Sequence, residues 1–184
     1  MFKIAKQILA GTILATSLIS GIAVAGIDEP KPIDQVEDGF PNRNGPLSAI
    51  MLFIPQSELV EFDRPADEGP HLSLLHKAHV GDVVAIKIMF AGAQNGADGT
   101  MDVTYDLKVI QPDGAVYSNT DEKGLAAVKG VSTEPTFVYD NRLVVVALRF
   151  EDKDLKGVYR AQAILHDNAS GRDIPLTAEI ELIP

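Results

Sequence analysis

Apolar residues recur at every second position through most of the chain after residue 47, and this period limits what the chain can fold into. The cleanest case is Met101–Val109, where apolar or aromatic residues alternate with Asp102, Thr104, Asp106 and Lys108. Successive side chains of a β-strand point to opposite faces, so the pattern predicts a strand with one buried and one exposed face. An amphipathic helix would instead require a period of 3.6 residues.

The remaining segments predict one all-β domain. We predict strands at Leu47–Ile54, Val83–Phe90, Met101–Val109, Ala115–Tyr117, Leu143–Phe150, Tyr159–Leu165 and Ile174–Leu182. The almost continuous apolar run before Phe150 predicts a central strand. Pro175 predicts an edge or strand-start position, because proline cannot donate to a ladder. The best helix candidate is short, around Asp121–Val128. We therefore expect a single antiparallel β-sandwich of about seven strands, spanning residues 47–184.

The first 25 residues have the features of a secretory signal peptide. Lys3 and Lys6 precede the apolar stretch Ile8–Val24, and Ala23-Val24-Ala25 offers the small residues that signal peptidase accepts before Gly26. The alternative is an uncleaved membrane anchor, because the apolar stretch is nearly long enough to span a bilayer. Small and hydroxyl residues dilute the stretch and no basic cluster follows it, so cleavage is favoured. We expect an exported protein, periplasmic or secreted, that is not an integral membrane protein after cleavage.

Composition narrows the compartment and the partners further. The chain has no cysteine, so it has neither a disulfide nor a lipoprotein acylation site, which is typical of a bacterial exported protein. Its 26 acidic residues outnumber 16 basic ones, for a formal charge of −10. This excess disfavours nucleic acid as a partner, because affinity for nucleic acid comes largely from cationic contacts to phosphate. Residues 26–46, acidic and rich in proline, are predicted to be a flexible leader. A docking tail for a basic partner is the alternative reading of this segment.

The most specific motif lies between Lys153 and Leu182. Gly157-Val158-Tyr159 opens an alternating strand, Asp167–Gly171 forms a turn signal, and a second alternating strand follows. This segment resembles the last two strands of immunoglobulin-like β-sandwiches.

That resemblance implies that the Tyr159 hydroxyl is tied back to the backbone at a corner, with Gly157 and Gly171 in structural roles around it. Ala161 stands where antibody-like domains carry their second cysteine, and the chain has no tryptophan. The resemblance is therefore to the disulfide-free sandwiches of the fibronectin type III or macroglobulin-like kind. Members of those families are mostly spacers, adhesion modules and interaction modules, so the resemblance implies architecture more firmly than activity.

Three of the four histidines fall within nine residues, as His71, His76 and His79. Neutral imidazoles are common ligands of zinc and copper, and Asp67 or Glu68 could complete such a site. The spacing matches no closed zinc pattern, however, and a solvated loop in which the neighbouring leucines face the core explains the same residues.

A second segment, Gly92–Asp102, is read in two ways. Its oxygen donors Asn95, Asp98 and Asp102 could hold calcium, but they lack the order of a calcium-binding loop. A long hairpin loop between two strands is the favoured interpretation.

Catalytic motifs are missing from the sequence. The chain has no cysteine nucleophile, no Gly-x-Ser-x-Gly and no phosphate-binding loop, and the adjacent residues His166 and Asp167 point to opposite faces of a strand. We therefore expect a non-catalytic binding module without a cofactor, whose partner is a protein or glycan of the cell envelope. The alternatives are a metal-binding protein that uses the three histidines and a small hydrolase with a carboxylate site.

Overall fold

The computed structural model describes residues 29–36, 39–65, 68–133 and 137–184, and strands dominate this part of the chain. The strands are β1 (Asn42–Asn44), β2 (Leu47–Pro55), β3 (Lys77–Ala78), β4 (Val83–Ala91), β5 (Met101–Ile110), β6 (Glu122–Val131), β7 (Tyr139–Asp140), β8 (Val146–Arg149), β9 (Gly157–Asp167) and β10 (Arg172–Leu182). Two short 3₁₀ helices are η1 (Ile33–Gln35) and η2 (Gln56–Asp63). Seven of the strands within the described ranges have four residues or more, and six of these seven overlap a strand predicted from the sequence.

Two five-stranded sheets form the sandwich. The first has the order β1-β2-β4-β7, with β8 also paired to β4, and the second has the order β3-β10-β9-β5-β6. Neighbouring strands are antiparallel except β3 and β10. The predicted all-β, immunoglobulin-like sandwich is thereby confirmed as the fold class. β4 and β5 lie in different sheets, so the predicted hairpin between them is wrong, because a period of two assigns faces but not strand partners.

The core lies between the two sheets and follows the predicted alternation. The inward-facing residues of β5, which include Tyr105, are buried, and so are Tyr159, Ala161, Ala163 and Leu165 of β9. On β10 the same alternation holds, although Ala178 is only half-buried. These positions were predicted from the sequence because burial on one face of a strand leaves a direct pattern in the chain.

Three local predictions are wrong. The segment around Asp121–Val128 forms strand β6, because pairing along β5 overrides a weak helical preference. Leu143 is 55% exposed and β8 pairs only with β4, so Leu143–Phe150 does not form a central strand. Ala115–Tyr117 makes a single β-bridge, from Val116 to Ile110, rather than a strand.

Pro175 lies on an edge, as predicted, since β3 pairs only with the last two residues of β10. The edge is covered by β1. The side-chain amide of Asn42 donates to the Pro175 carbonyl at 2.7 Å, and that of Asn44 donates to the Asp173 carbonyl at 3.0 Å. The packed domain therefore begins before residue 47, which corrects the predicted end of the flexible leader.

The predicted signal peptide, residues 1–25, lies outside the described residues, as do residues 26–28, 37 and 38 of the leader. Within the described ranges, no helix has the length and apolar character needed to cross a membrane.

Candidate functional site

A buried ion pair lies on the outer face of the first sheet, away from the core. Ile86 and Ile88 of β4 face the core, so Lys87 between them faces outward. Its Nζ atom lies 2.6 Å from Oδ1 of Asp140 on β7, and the two side chains are only 2% and 4% exposed. Charged groups are rarely buried without a partner, so this pair marks the face as more than a solvated surface.

Asn141 explains why the chain can place these charges side by side. β7 pairs with β4 at Met89 and Phe90, while β8 pairs with it only up to Ile86. In the gap, the Asn141 side chain accepts a hydrogen bond from the Ile88 amide and donates one to the Ile86 carbonyl, each at 3.1 Å. The Asn141 side chain thus takes the place of backbone hydrogen bonds between neighbouring strands. The residues on either side of it, Asp140 and Arg142, can then direct their side chains to the outer face.

Helix η2 covers the ion pair. It starts directly after Pro55, which ends β2, and packs on β2 and β4. The Phe62 ring of η2 lies with its centroid 4.0 Å from the Lys87 ammonium, which is a cation–π contact. Burial lowers the pKa of Lys87, and the hydrogen bond to Asp140 opposes that effect. The ammonium is therefore enclosed by one carboxylate and one aromatic face.

A cleft of about 620 Å³, here called the outer cleft, is lined by the end of η2, by Pro65 and Pro70, and by Met89 and β7. The walls are largely apolar, with Phe62, Pro65 and Pro70 facing Met89, Phe137 and Val138. Val138 is 51% exposed, and the Phe137 ring packs on Tyr139 with centroids 4.8 Å apart. A concave, mostly apolar surface with a few charged groups is the usual character of a ligand site.

Two arginines lie at the rim of the outer cleft. Arg142 Nη2 is 2.9 Å from Oδ2 of Asp140, and its side chain is 53% exposed. Arg64 forms an ion pair with Glu61, in which Nε of the arginine lies 2.6 Å from Oε2 of the glutamate. Its hydrogen bond lowers the pKa of Glu61, which keeps this carboxylate ionised. A general acid requires the opposite shift, so Glu61 is not suited to that one role.

The three predicted metal-ligand histidines are not brought together. His71 lies with Nδ1 3.8 Å from Oε2 of Glu61, and His79 with Nδ1 3.8 Å from Oδ2 of Asp82, both on exposed side chains. His76 is also exposed. In the described part of the chain, no group of three or more His, Asp or Glu side chains converges on a possible metal position. Asp67, named as a possible further ligand, lies outside the described residues.

The oxygen donors of residues 92–102 serve local structure. Asn95 Oδ1 accepts from the Thr133 amide at 2.9 Å, and Asp98 Oδ1 accepts from the Thr100 amide at 3.0 Å. Asp102 pairs with Lys129 at 3.3 Å. These bonds stabilise a connection between the sheets and account for the donors without calcium.

The corner before β9 contains Tyr159. Its ring is fully buried, and its hydroxyl donates to the Leu155 carbonyl at 2.9 Å. Gly157 has a φ of +129°, and a Cβ there would lie 3.2 Å from two atoms of Pro112. Gly171, with a φ of +69°, donates its amide to the Asp167 carbonyl and closes the β9–β10 turn. These three residues serve packing and turn geometry and do not line the outer cleft.

Sequence reasoning missed the residues of the outer cleft. Alternation with Ile86 and Ile88 places Lys87 on the outer face of its strand, but an outward lysine in an alternating strand predicts exposure. Asp140 and Arg142 lie in a segment that carried no motif. The one available signal was a lysine within the otherwise apolar run Val83–Phe90, which is unusual for a strand that must pack on one face.

Comparison with known proteins shows no family for the chain. No family model matches it, and no curated protein is similar to it in sequence. Similar solved structures include a family 123 glycoside hydrolase from Clostridium perfringens, at 10% identity and a TM-score of 0.42 over 75% of this chain and 27% of that one.

Two further structures are more like this chain in size. The sporulation control protein Spo0M from Bacillus subtilis matches at 11% identity and a TM-score of 0.39, over 74% of this chain and 49% of that one. An immunoglobulin-like protein from Pseudomonas aeruginosa matches at 15% identity and a TM-score of 0.32, over 83% of this chain and 100% of that one. The chain thus spans about a quarter of the hydrolase and half of Spo0M. The class that its own strands define is an immunoglobulin-like β-sandwich, and these scores identify no particular protein within it.

Proposed function

We propose that this chain is an exported, non-catalytic binding module for a protein or glycan partner of the cell envelope, and that it binds in the outer cleft. The observation that carries the proposal is the outer cleft itself. It combines apolar walls with exposed Arg142 and a buried ion pair behind it. Binding needs nothing more than such a preformed surface.

Export is supported by the basic, apolar and small-residue regions of residues 1–25. The test is to express the full chain in a bacterium and to determine the N-terminus of the protein in each cell fraction. We expect the periplasmic or secreted form to begin at Gly26. Recovery only of the uncleaved chain in the cytoplasm would remove export from the proposal.

Binding is tested by capture from a cell-envelope fraction with three forms of the protein. Val138→Glu places a charge on the wall of the outer cleft, and Val158→Glu places one on the outer face of the second sheet. The two valines are matched controls, since they are 51% and 46% exposed. We expect the wild type and Val158→Glu to retain the same partner and Val138→Glu to lose it. Equal retention by both variants would show that the outer cleft is not the binding surface.

A further inference from the structure

We propose that the outer cleft recognises a carboxylate carried on an apolar body, such as the free end of a peptide with an apolar last residue. The proposal rests on the proposed function and assigns the chemical class of its ligand. It is built from three features of the cleft: the open donors of Arg142, the balance of charge around it, and the apolar walls beside it.

Arg142 has donors left over for a ligand. A guanidinium carries five N–H groups in a planar fork that fits a carboxylate. Asp140 receives only one of these side-chain contacts, from Nη2 at 2.9 Å. The other side-chain donors of Arg142 have no acceptor among residues 29–36, 39–65, 68–133 and 137–184. With its side chain 53% exposed at the rim, Arg142 can hold Asp140 and a ligand oxygen at the same time.

The charge around the cleft permits an anion there. The chain as a whole is strongly acidic, with a formal charge of −10. Around the cleft, the described residues include three cations, Lys87, Arg64 and Arg142, and they include four carboxylates, those of Glu61, Asp63, Glu68 and Asp140. The charges of these residues therefore nearly offset one another, on a protein that is acidic as a whole. Arg64 and Arg142 at the rim therefore offset part of the repulsion that the acidic protein exerts on an incoming carboxylate.

The apolar walls of the cleft indicate which chemical group the ligand carries beside its carboxylate. Met89, Phe137 and Val138 lie on the side of the cleft that also bears Arg142, and Pro65 and Pro70 face them. Such walls stabilise an apolar side chain by removing it from water. The carboxylates of the cleft that could bind the hydroxyls of a sugar, such as Glu61 and Asp140, are already held in ion pairs, so an acidic sugar fits this surface less well than an apolar acid.

The direct test is titration of the isotope-labelled protein with small probes, followed by NMR. The probes are N-acetylphenylalanine, its carboxamide, acetate and glucuronate. We expect N-acetylphenylalanine to shift the backbone amides of Val138, Tyr139 and Arg142, with an affinity at least about tenfold above those of the other three probes, because only this probe combines both recognised groups. Equal binding of acid and carboxamide, or preferential binding of glucuronate, would overturn the inference.

Two arginine variants complete the test. Arg142→Gln should abolish the response to N-acetylphenylalanine. Arg160→Gln should leave it unchanged, since Arg160 is 52% exposed and ion-paired to Glu179 on the second sheet. An unchanged response in Arg142→Gln, with its fold checked by circular dichroism, would overturn the role of Arg142. If the carboxylate probes fail while Val138→Glu still loses the envelope partner, the ligand class is wrong and the proposed function stands.

Discussion

The Nζ atom of Lys87 lies 2.6 Å from Oδ1 of Asp140, and the two side chains are 2% and 4% exposed on the outer face of the first sheet. A second cation, Arg142, contacts the other oxygen of Asp140 at 2.9 Å. Asp140 is therefore the centre of a three-membered chain of charges. The two ends of this chain differ, because Lys87 is enclosed and Arg142 is half exposed.

This difference predicts unequal costs of mutation. Asp140→Ala leaves the Lys87 ammonium buried without its carboxylate and should lower the free energy of unfolding by about 3–5 kcal/mol. Lys87→Met should cost less, because Asp140 keeps Arg142 and methionine fills much of the volume of lysine. Urea denaturation of the two variants gives the comparison. A smaller loss for Asp140→Ala than for Lys87→Met would contradict the assignment of Asp140 as the centre.

Asn141 is predicted to be a stability residue rather than a ligand contact. Its side chain satisfies the Ile88 amide and the Ile86 carbonyl, both buried between β7 and β8. Asn141→Ala leaves both groups without a partner and should lower the free energy of unfolding by about 2–6 kcal/mol, since each buried unsatisfied group costs about 1–3 kcal/mol. Thermal denaturation checks the loss. Asn168→Ala, in the exposed β9–β10 turn, is the matched control and should have little effect.

Tyr159 is expected to make the free energy of unfolding fall with pH in the alkaline range. Burial raises the pKa of Tyr159 to about 12 from an ordinary value of 10.0. The folded protein therefore keeps the phenol protonated where the unfolded chain has lost the proton. The corresponding stability is present below pH 10 and is lost as the pH rises through about 12. Denaturation midpoints measured across this range should fall with pH, and the fall should be shallower in Tyr159→Phe.

The hydroxyl of Tyr159 has a separate effect near neutral pH. Its hydrogen bond to the Leu155 carbonyl is removed in Tyr159→Phe, while the ring still packs against Tyr117 and Phe150. We expect a loss of about 1 kcal/mol in the free energy of unfolding. A loss too small to measure in urea denaturation would mean that the corner contributes packing alone.

Gly92 is predicted to tolerate no side chain. It has a φ of +76°, and a Cβ built there would overlap the carbonyl oxygen of Pro46. Gly114, with a φ of +88°, has open space around the same position. Gly114→Ala should lower the free energy of unfolding by about 1–2 kcal/mol, which is the cost of a positive φ for alanine. Gly92→Ala should lower it clearly more, because the overlap with Pro46 is added. Equal costs in thermal denaturation would show that the approach of Pro46 is not constrained.

The sequence by itself determined the fold class and the inward faces of the strands. Residues such as Val103 of β5 and Leu165 of β9 are buried at positions that the period of two predicted. The prediction works because a strand with one buried face has apolar residues at every second position. Tyr159 also lies where its local motif placed it, since a corner is formed within a few residues.

Only the tertiary structure decided which strands share a sheet and where the charged groups meet. The connection of residues 92–100 crosses between sheets, and β8 is an edge strand, because pairing depends on distant segments that a local period does not encode. Lys87 and Asp140 are separated by 53 positions in sequence. They meet because Asn141 fills the gap between β7 and β8 and because η2 covers the lysine. The outer cleft is thus a product of long-range packing, whereas the sandwich that supports it follows from alternation in the chain.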